Sequence, residues 1–187
     1  MKKKSMFLTV CCICLMLLGA CGTDSPKKTV SDALDALKVS DLETANTYFQ
    51  NPLTDETVFQ SLKNAEDTDN LDFLQKFLAS LQYEITAAEE EKDTAVVTAT
   101  IQTIDISQVF SDYMTNAMAY LFVDLSQEEL NEKLMDTLFQ ALEDNAENLT
   151  STEVNISLVK EDGKWLIQPD TALIEALTGG ISTLFAE

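Results

Sequence analysis

The hydrophobic residues of this chain change repeatedly between a helical and a strand period, which limits the folds available to it. From Thr29 to Leu81 apolar residues recur at the spacing of amphipathic helices, and residues 83–102 then alternate apolar with polar. Helical spacing returns over residues 106–149, and alternation returns over residues 154–167. Pairs of neighbouring strands separated by helices predict an α+β domain with an antiparallel sheet of about four strands.

Each pair of strands is predicted to form a hairpin. The charged residues 89–93 separate the first pair, and Asp162-Gly163 separates the second. Asp-Gly is typical of a two-residue hairpin turn. Such a turn pairs Leu158 with Ile167 and places Trp165 on the apolar face of the sheet, so we expect Trp165 to be buried.

The helical segments predict N-terminal helices packed on the sheet and a helical hairpin inserted between the two strand pairs. Residues 55–63 and 71–81 are further predicted helices. The insertion covers residues 106–149, and its stripe includes Met114 and Met118, which we interpret as core residues. Two segments have the Ser-x-x-Glu form of a capping box, Ser40–Glu43 and Ser126–Glu129. Each is predicted to begin a helix.

The N-terminal segment is typical of an export signal. Lys2, Lys3 and Lys4 precede Met6–Ala20, which is uncharged and mostly apolar. This run is shorter than the roughly 20 residues that a membrane-spanning helix needs, and it fits the apolar region of a signal peptide. An uncleaved N-terminal membrane anchor is the alternative.

The signal segment ends in Leu18-Gly19-Ala20-Cys21, which resembles the lipobox of bacterial lipoproteins. The resemblance implies that residues 1–20 are removed as a signal peptide and that Cys21 carries a diacylglycerol. Residues 21–28 would then form a lipidated tether and residues 29–187 a single domain. We therefore expect an exported protein held by its lipid on the outer face of the bacterial cell membrane.

Cysteine usage and charge exclude several classes of function. Cys11, Cys12 and Cys14 lie in the segment predicted to be removed, so Cys21 would be the remaining cysteine. Its acylation leaves no disulfide, cysteine metal site or catalytic thiol.

The charge of the chain is strongly negative. It has 32 acidic residues, 12 lysines and neither arginine nor histidine, which gives a net charge of −20, and loss of the three N-terminal lysines would make it −23. Such a surface repels nucleic acid.

Two segments resemble small bacterial lipoproteins with the cystatin-like, nuclear-transport-factor-two-like cone fold. They are TVSDALDALKVSDLETANTYF, similar to the first helix pair, and VNISLVKEDGKWLIQPD, similar to the closing strand pair. The resemblance implies a curved antiparallel sheet wrapped on helices, often with an internal cavity. It implies no particular activity, and the insertion at residues 106–149 could cover or fill such a cavity.

Without histidine, arginine or a free cysteine, an enzyme of this sequence would depend on carboxylates, tyrosine or lysine. The candidate ligand-binding or catalytic residues are Asp105, Asp112 and Tyr113. The alternative is that the two acids stabilise a helix N-terminus and that Tyr113 is a core aromatic.

A weak calcium site is the other candidate, with Asp67, Asp69 and Asp72 as ligands. This cluster lacks the turn glycine and closing glutamate of a calcium loop, and Asp69 or Asn70 could instead cap a helix beginning at Leu71.

Together these features predict a membrane-anchored, non-catalytic interaction module that needs no cofactor and whose partner is a protein or a small molecule. The alternatives are a carboxylate-dependent hydrolase or isomerase of the cone fold, and a calcium-binding surface module.

Overall fold

The structure is a computed structural model in which residues 25–53 and 68–180 are described. In chain order the elements are α1 (Pro26–Lys38), α2 (Leu42–Asn46), α3 (Thr68–Ala79), β1 (Gln82–Glu90), β2 (Thr94–Ile104), α4 (Ile106–Ala117), a 3₁₀ turn (Met118–Phe122), α5 (Gln127–Asp144), β3 (Leu149–Glu161), β4 (Lys164–Gln168) and α6 (Thr171–Leu177). The helix predicted over residues 55–63 lies outside the described residues. Within the described ranges no helix has the length and apolar character needed to cross a bilayer.

The sheet has four strands in the order β1-β2-β3-β4, and each neighbouring pair is antiparallel. The α+β class and the number of strands are therefore confirmed. In the first hairpin a bulge between Ile85 and Ala87 shifts the register, so Ala88 rather than Ala87 packs against the core. Glu89 and Glu90 also pair with β2, which makes the turn shorter than the predicted residues 89–93.

The second hairpin has the predicted register, with Leu158 opposite Ile167. Asp162 and Gly163 adopt φ values of 50° and 85°, the left-handed backbone that a tight primed turn requires. Trp165 is only 2% exposed, as expected from this register. Lys160 lies opposite it, with Nζ 4.9 Å from the centroid of the indole ring.

The main core lies between one face of the sheet and helices α1, α2 and α6. The residues of β2, β3 and β4 that are buried on this face are at most 4% exposed: Ala95, Val97, Ala99, Ile101, Val154, Ile156, Leu158, Trp165 and Ile167. Val30, Leu34 and Leu37 of α1 fill the space above them, since their spacing puts them on one helix face. Apolar side chains therefore occupy the inner face of the sheet.

Helix α1 begins earlier and ends differently from what the sequence predicts. It starts at Pro26, with Ser25 Oγ accepting the N–H of Lys28, so the last part of the predicted tether is helical. It closes with Ser40 at φ 59°, and the N–H groups of Ser40 and Asp41 donate to Leu37 and Ala36. This is a Schellman arrangement, in which a left-handed residue ends a helix.

Because Ser40 closes α1, it cannot also cap α2, and the capping box predicted at Ser40–Glu43 is wrong. Asp41 is the cap instead, and its Oδ1 accepts the N–H of Thr44. Hydrogen bonding to the side chain of Thr44, and then to its backbone N–H, lowers the pKa of Asp41. The second predicted box is confirmed: Ser126 Oγ accepts the N–H of Glu129, and Glu129 Oε2 accepts the N–H of Ser126.

A second, smaller cluster joins α3 to the helical hairpin formed by α4 and α5. Its buried residues are Leu74, Phe77, Leu78, Ile104, Ile106, Val109, Ala141 and Leu142. The hairpin lies between β2 and β3 as predicted, but its limits differ, because Leu149 belongs to β3 and pairs with Ile104. The assignment of Met114 and Met118 to the core is wrong, since they are 47% and 58% exposed.

Candidate functional site

A polar cleft opens at the base of the helical hairpin, where β2 leads into α4 and α5 returns to β3. It has a volume of about 510 Å³ and is lined by Asp105, Gln108, Asp112, Asp144, Asn145, Asn148 and Leu149. The structure thus brings together Asp105 and Asp112, two of the three candidates taken from the sequence. The cleft lies outside the main core, so it is not the internal cavity that the cone-fold resemblance implies.

Asp105 caps α4 from the end of β2. Its backbone is extended, and its Oδ1 accepts the N–H of Ser107 at 3.0 Å and that of Gln108 at 3.2 Å. Its own N–H donates to the carbonyl of Asn148 at 3.0 Å, which ties the start of the hairpin to its end. Asp105 therefore has a structural task, the helix-cap alternative that the sequence left open.

Asp112 is held by two amide side chains, one for each carboxylate oxygen. Gln108 Nε2 donates to Oδ1 at 3.0 Å, one helical turn earlier on α4, and Asn145 Nδ2 donates to Oδ2 at 2.8 Å from the end of α5. Asn145 is 2% exposed and also donates to the carbonyl of Ala141 at 2.9 Å. Asn148 Nδ2 donates to Asn145 Oδ1 at 2.8 Å. These bonds join α4 to the turn that follows α5.

Tyr113 does not reach the cleft. It follows Asp112 on α4, and the helical rotation turns it toward the second cluster, where it is half-buried. Its ring centroid is 6.3 Å from that of Phe110. The aromatic alternative that the sequence left open therefore describes Tyr113 better than a ligand contact does.

The calcium candidates do not form a loop in the described residues. Asp67 lies outside them, and Asp69 and Asn70 lie within α3, which already includes Thr68, so neither caps a helix that begins at Leu71. Asp72 is exposed on the same helix. Throughout residues 25–53 and 68–180 no three acidic, cysteine or histidine side chains are grouped so that they could hold a metal ion.

Sequence reasoning missed the amide half of the cleft. Asn145 and Asn148 follow the last apolar turn of α5, where asparagine usually indicates a helix end or a turn. That signal describes the backbone and does not show that Asn145 would be buried against Asp112. Among its described lining residues the cleft offers carboxylates and amides, which suit polar or cationic ligands, and no nucleophile with an adjacent base.

Comparisons with known proteins give a family and one structural likeness. A family model described as a domain of unknown function, DUF5105, matches residues 22–181. The crystal structure of ycdA, a candidate lipoprotein of Bacillus subtilis subsp. subtilis str. 168, is similar with a TM-score of 0.45 and 15% sequence identity. The likeness covers 83% of this chain and 59% of that chain, so this chain spans little more than half of the other protein. A search of curated proteins finds no match.

Proposed function

We propose that this chain, which belongs to the DUF5105 family of unknown function, is an exported lipoprotein. Its domain is held on the outer face of the bacterial membrane by a lipid on Cys21 and acts as a non-catalytic interaction module. The observation that carries the proposal is the sequence Leu18-Gly19-Ala20-Cys21 at the end of an apolar, lysine-led segment. Two acyl chains on one residue suffice for stable anchoring.

The position of α1 supports a short attachment. Ser25 caps this helix and Pro26 is its first residue, so only residues 22–24 separate the lipidated cysteine from the cap. Four peptide steps from Cys21 to Ser25 reach at most about 14 Å. The domain would therefore sit against the membrane, with Lys27 and Lys28 of the first helical turn at the end nearest the lipid.

The hydrogen bonding of the cleft supports a non-catalytic role. Asp105 caps a helix through Oδ1, and both oxygens of Asp112 accept amide N–H groups. A general base needs a carboxylate oxygen directed at substrate, whereas these oxygens stabilise the fold. The four-stranded antiparallel sheet packed on helices supports the cone fold as the finer description of the domain.

Lipidation is tested by replacing Cys21 with alanine in the full chain. We expect the normal protein to fractionate with membranes at its processed size and to take up radiolabelled fatty acid. Cys21→Ala should remain unprocessed or be released, without label, because the thiol that accepts the diacylglycerol is gone. The matched control is Cys14→Ala, which removes a thiol from the discarded segment and should behave as the normal protein does. Membrane-bound Cys21→Ala at the processed size would refute the assignment.

A further inference from the structure

Six large apolar side chains are exposed on the outer side of α4 and the 3₁₀ turn that continues it. We call them the hairpin patch: Phe110, Met114, Met118, Leu121, Phe122 and Val123. Their exposure increases toward the tip of the hairpin, from 41% at Phe110 to 89% at Phe122. The other exposed large hydrophobic residues in the described part of the chain are Val39 and Val96. Contiguous exposed apolar surface of this kind marks interaction sites.

The hairpin patch is not the inner face of an open hairpin. Ile106 and Val109, in the first turn of α4, are buried in the second cluster. At the tip, the hydroxyl groups of Tyr120 and Thr137 lie 3.0 Å apart and join the 3₁₀ turn to α5. The hairpin is therefore held together at its base and at its tip, and the side chains of the patch remain exposed when it is closed.

The charges beside the patch restrict what can cover it. Residues 106–136 contain six carboxylates and one basic residue, Lys133. Four of the six follow the patch closely in sequence, in the tip and the first turns of α5: Asp124, Glu128, Glu129 and Glu132. The tip of the hairpin is therefore acidic, and an occupant that covers it is favoured if it carries positive charge at its rim.

The same charges disfavour a second copy of this chain and an anionic lipid surface. Two copies meeting at their patches would bring like charges together, and each chain has a net charge of −20 and no arginine. Anionic headgroups would be repelled for the same reason. A cationic amphipathic segment instead supplies apolar side chains for the patch and lysine or arginine for the carboxylates.

We propose that the hairpin patch binds a cationic amphipathic segment of an exported partner protein. The inference rests on the proposed interaction function and names its surface and the chemistry of its partner. Met114 and Met118 are flexible and polarisable, which suits a surface that adapts to an inserted helix. The exposed ring of Phe122 can also accept a cation over its face.

The probe is a labelled helical peptide of leucine and lysine with all leucines on one face. A scrambled peptide has the same composition and no apolar face, and a third peptide has glutamate in place of lysine. Binding is measured by fluorescence anisotropy to the lipidated full chain in phosphatidylcholine nanodiscs, with empty nanodiscs subtracted. We expect the amphipathic cationic peptide to bind about tenfold more tightly than either of the others.

Two double variants separate the apolar and the charged contributions. Met118→Gln with Phe122→Gln should weaken binding about tenfold, because it removes apolar area from the contact. Glu128→Gln with Glu132→Gln should weaken it about threefold and reduce its salt dependence. All four side chains are exposed, so both variants should keep the helix content of the unaltered protein. Loss of the attraction between Glu128 and the helix N-terminus should lower the melting temperature only slightly.

Matched controls lie on other surfaces. Val39→Gln removes an apolar side chain that is 73% exposed outside the hairpin, and Glu89→Gln with Glu90→Gln removes two exposed carboxylates on β1. Both should bind the probe as the unaltered protein does. The proposal would be overturned if Val39→Gln weakened binding as much as the Met118 and Phe122 variant does. It would also be overturned if the Glu89 and Glu90 variant weakened binding as much as the Glu128 and Glu132 variant does, because the probe would then bind the protein surface without preference for the patch.

Three further outcomes would overturn it. Equal affinity for the scrambled peptide would make the apolar face irrelevant, and equal affinity for the glutamate peptide would make the acidic tip irrelevant. Chemical cross-linking of two copies on the disc, lost in the Met118 and Phe122 variant, would identify a second copy as the occupant. Fatty-acid labelling and fractionation of the same variants report on the anchor alone, so failure of the lipoprotein assignment is seen separately.

Discussion

The sheet and the helical hairpin have equally clear hydrophobic patterns, but only the sheet buries most of its apolar face, on strands β2, β3 and β4. Val97 and Ala99 on β2 are fully buried, whereas Met114 and Met118 on α4 are about half exposed. Helices cover the inner face of β2, β3 and β4, whereas Tyr83, Ile85 and Ala88 on the edge strand β1 are only partly buried. A helix in a two-helix hairpin has one neighbour, so residues beyond that contact stay in solvent. Periodicity thus predicts the element and its apolar face, while burial depends on whether another layer is present.

The largest expected effect tests the fully packed side of this comparison. Trp165 is 2% exposed and packs in the main core. Replacing it with alanine should lower the free energy of unfolding by about 3–5 kcal/mol, because it removes apolar area and leaves a cavity. Urea unfolding followed by circular dichroism measures this, since the chain has only one tryptophan and the variant loses its fluorescence signal.

Phe122→Ala is the matched control for Trp165→Ala on the hairpin side. Its ring is 89% exposed, so the free energy of unfolding should change by no more than about 0.5 kcal/mol. A cost near that of Trp165→Ala would mean that Phe122 is covered in solution, which would remove the contrast between the two regions.

A smaller effect is expected where the two regions meet, at Gly179. It has φ 61°, and a Cβ built on it would lie 2.5 Å from the carbonyl oxygen of Ile104, the last residue of β2. Gly179→Ala should cost about 2–4 kcal/mol from backbone strain and crowding. Gly163→Ala is the control, with φ 85° and no atom within 4 Å, and should cost about 1–2 kcal/mol. If the two variants lost the same free energy of unfolding, the end of β2 near Ile104 would move aside easily for the added Cβ.

Much of the sheet could be predicted from the sequence because its determinants are local. Asp162-Gly163 fixes the turn, and alternation then fixes which face Trp165 occupies. The cap at Ser126 was predictable for the same reason, since both of its partners lie within four residues. The cap at Ser40 was not, because the end of α1 competes for that residue and only the left-handed backbone shows which helix it serves.

The candidate cleft was half predictable. Asp105 and Asp112 could be chosen because Asp105 lies at the end of a predicted strand and Asp112 lies on the helix predicted to follow it. Their partner Asn145 is 33 residues from Asp112. That contact depends on how α5 packs against α4, and packing across a hairpin leaves no periodic signal in the sequence.

Asn145→Ala should have a smaller effect than Gly179→Ala. The buried amide donates to Asp112 and to the carbonyl of Ala141, and accepts from Asn148. Its loss should lower the free energy of unfolding by about 1–2 kcal/mol, because the open cleft lets water replace some of these bonds. Asn148→Ala, which removes one bond from an exposed side chain, should cost less than about 1 kcal/mol. An unchanged or increased stability in Asn145→Ala would indicate that the network serves a ligand and not the fold.

The smallest expected effect is a pH dependence at the exposed start of α5. Hydrogen bonds from the backbone N–H of Ser126 and then from its hydroxyl lower the pKa of Glu129 below its ordinary value of 4.5. The unfolded chain then binds this proton more readily than the folded one. Glu129 therefore stabilises the fold above its unfolded pKa, and this contribution is lost as the pH falls through the lowered folded pKa.

Comparing Glu129→Gln with the unaltered protein isolates this contribution from the many other acids of the chain. The gap in the free energy of unfolding should be present near neutral pH and should narrow as the pH falls below 4.5, the ordinary pKa of the side chain. Glu128→Gln is the control, because Glu128 lies in the same first turn and shares the attraction to the helix N-terminus, but is not part of the capping box. If the two gaps close over the same pH range, the helix dipole accounts for both and the capping box contributes no pH dependence of its own. If the gap in the free energy of unfolding for Glu129→Gln persists to lower pH than the gap for Glu128→Gln, the difference is due to the two hydrogen bonds from Ser126.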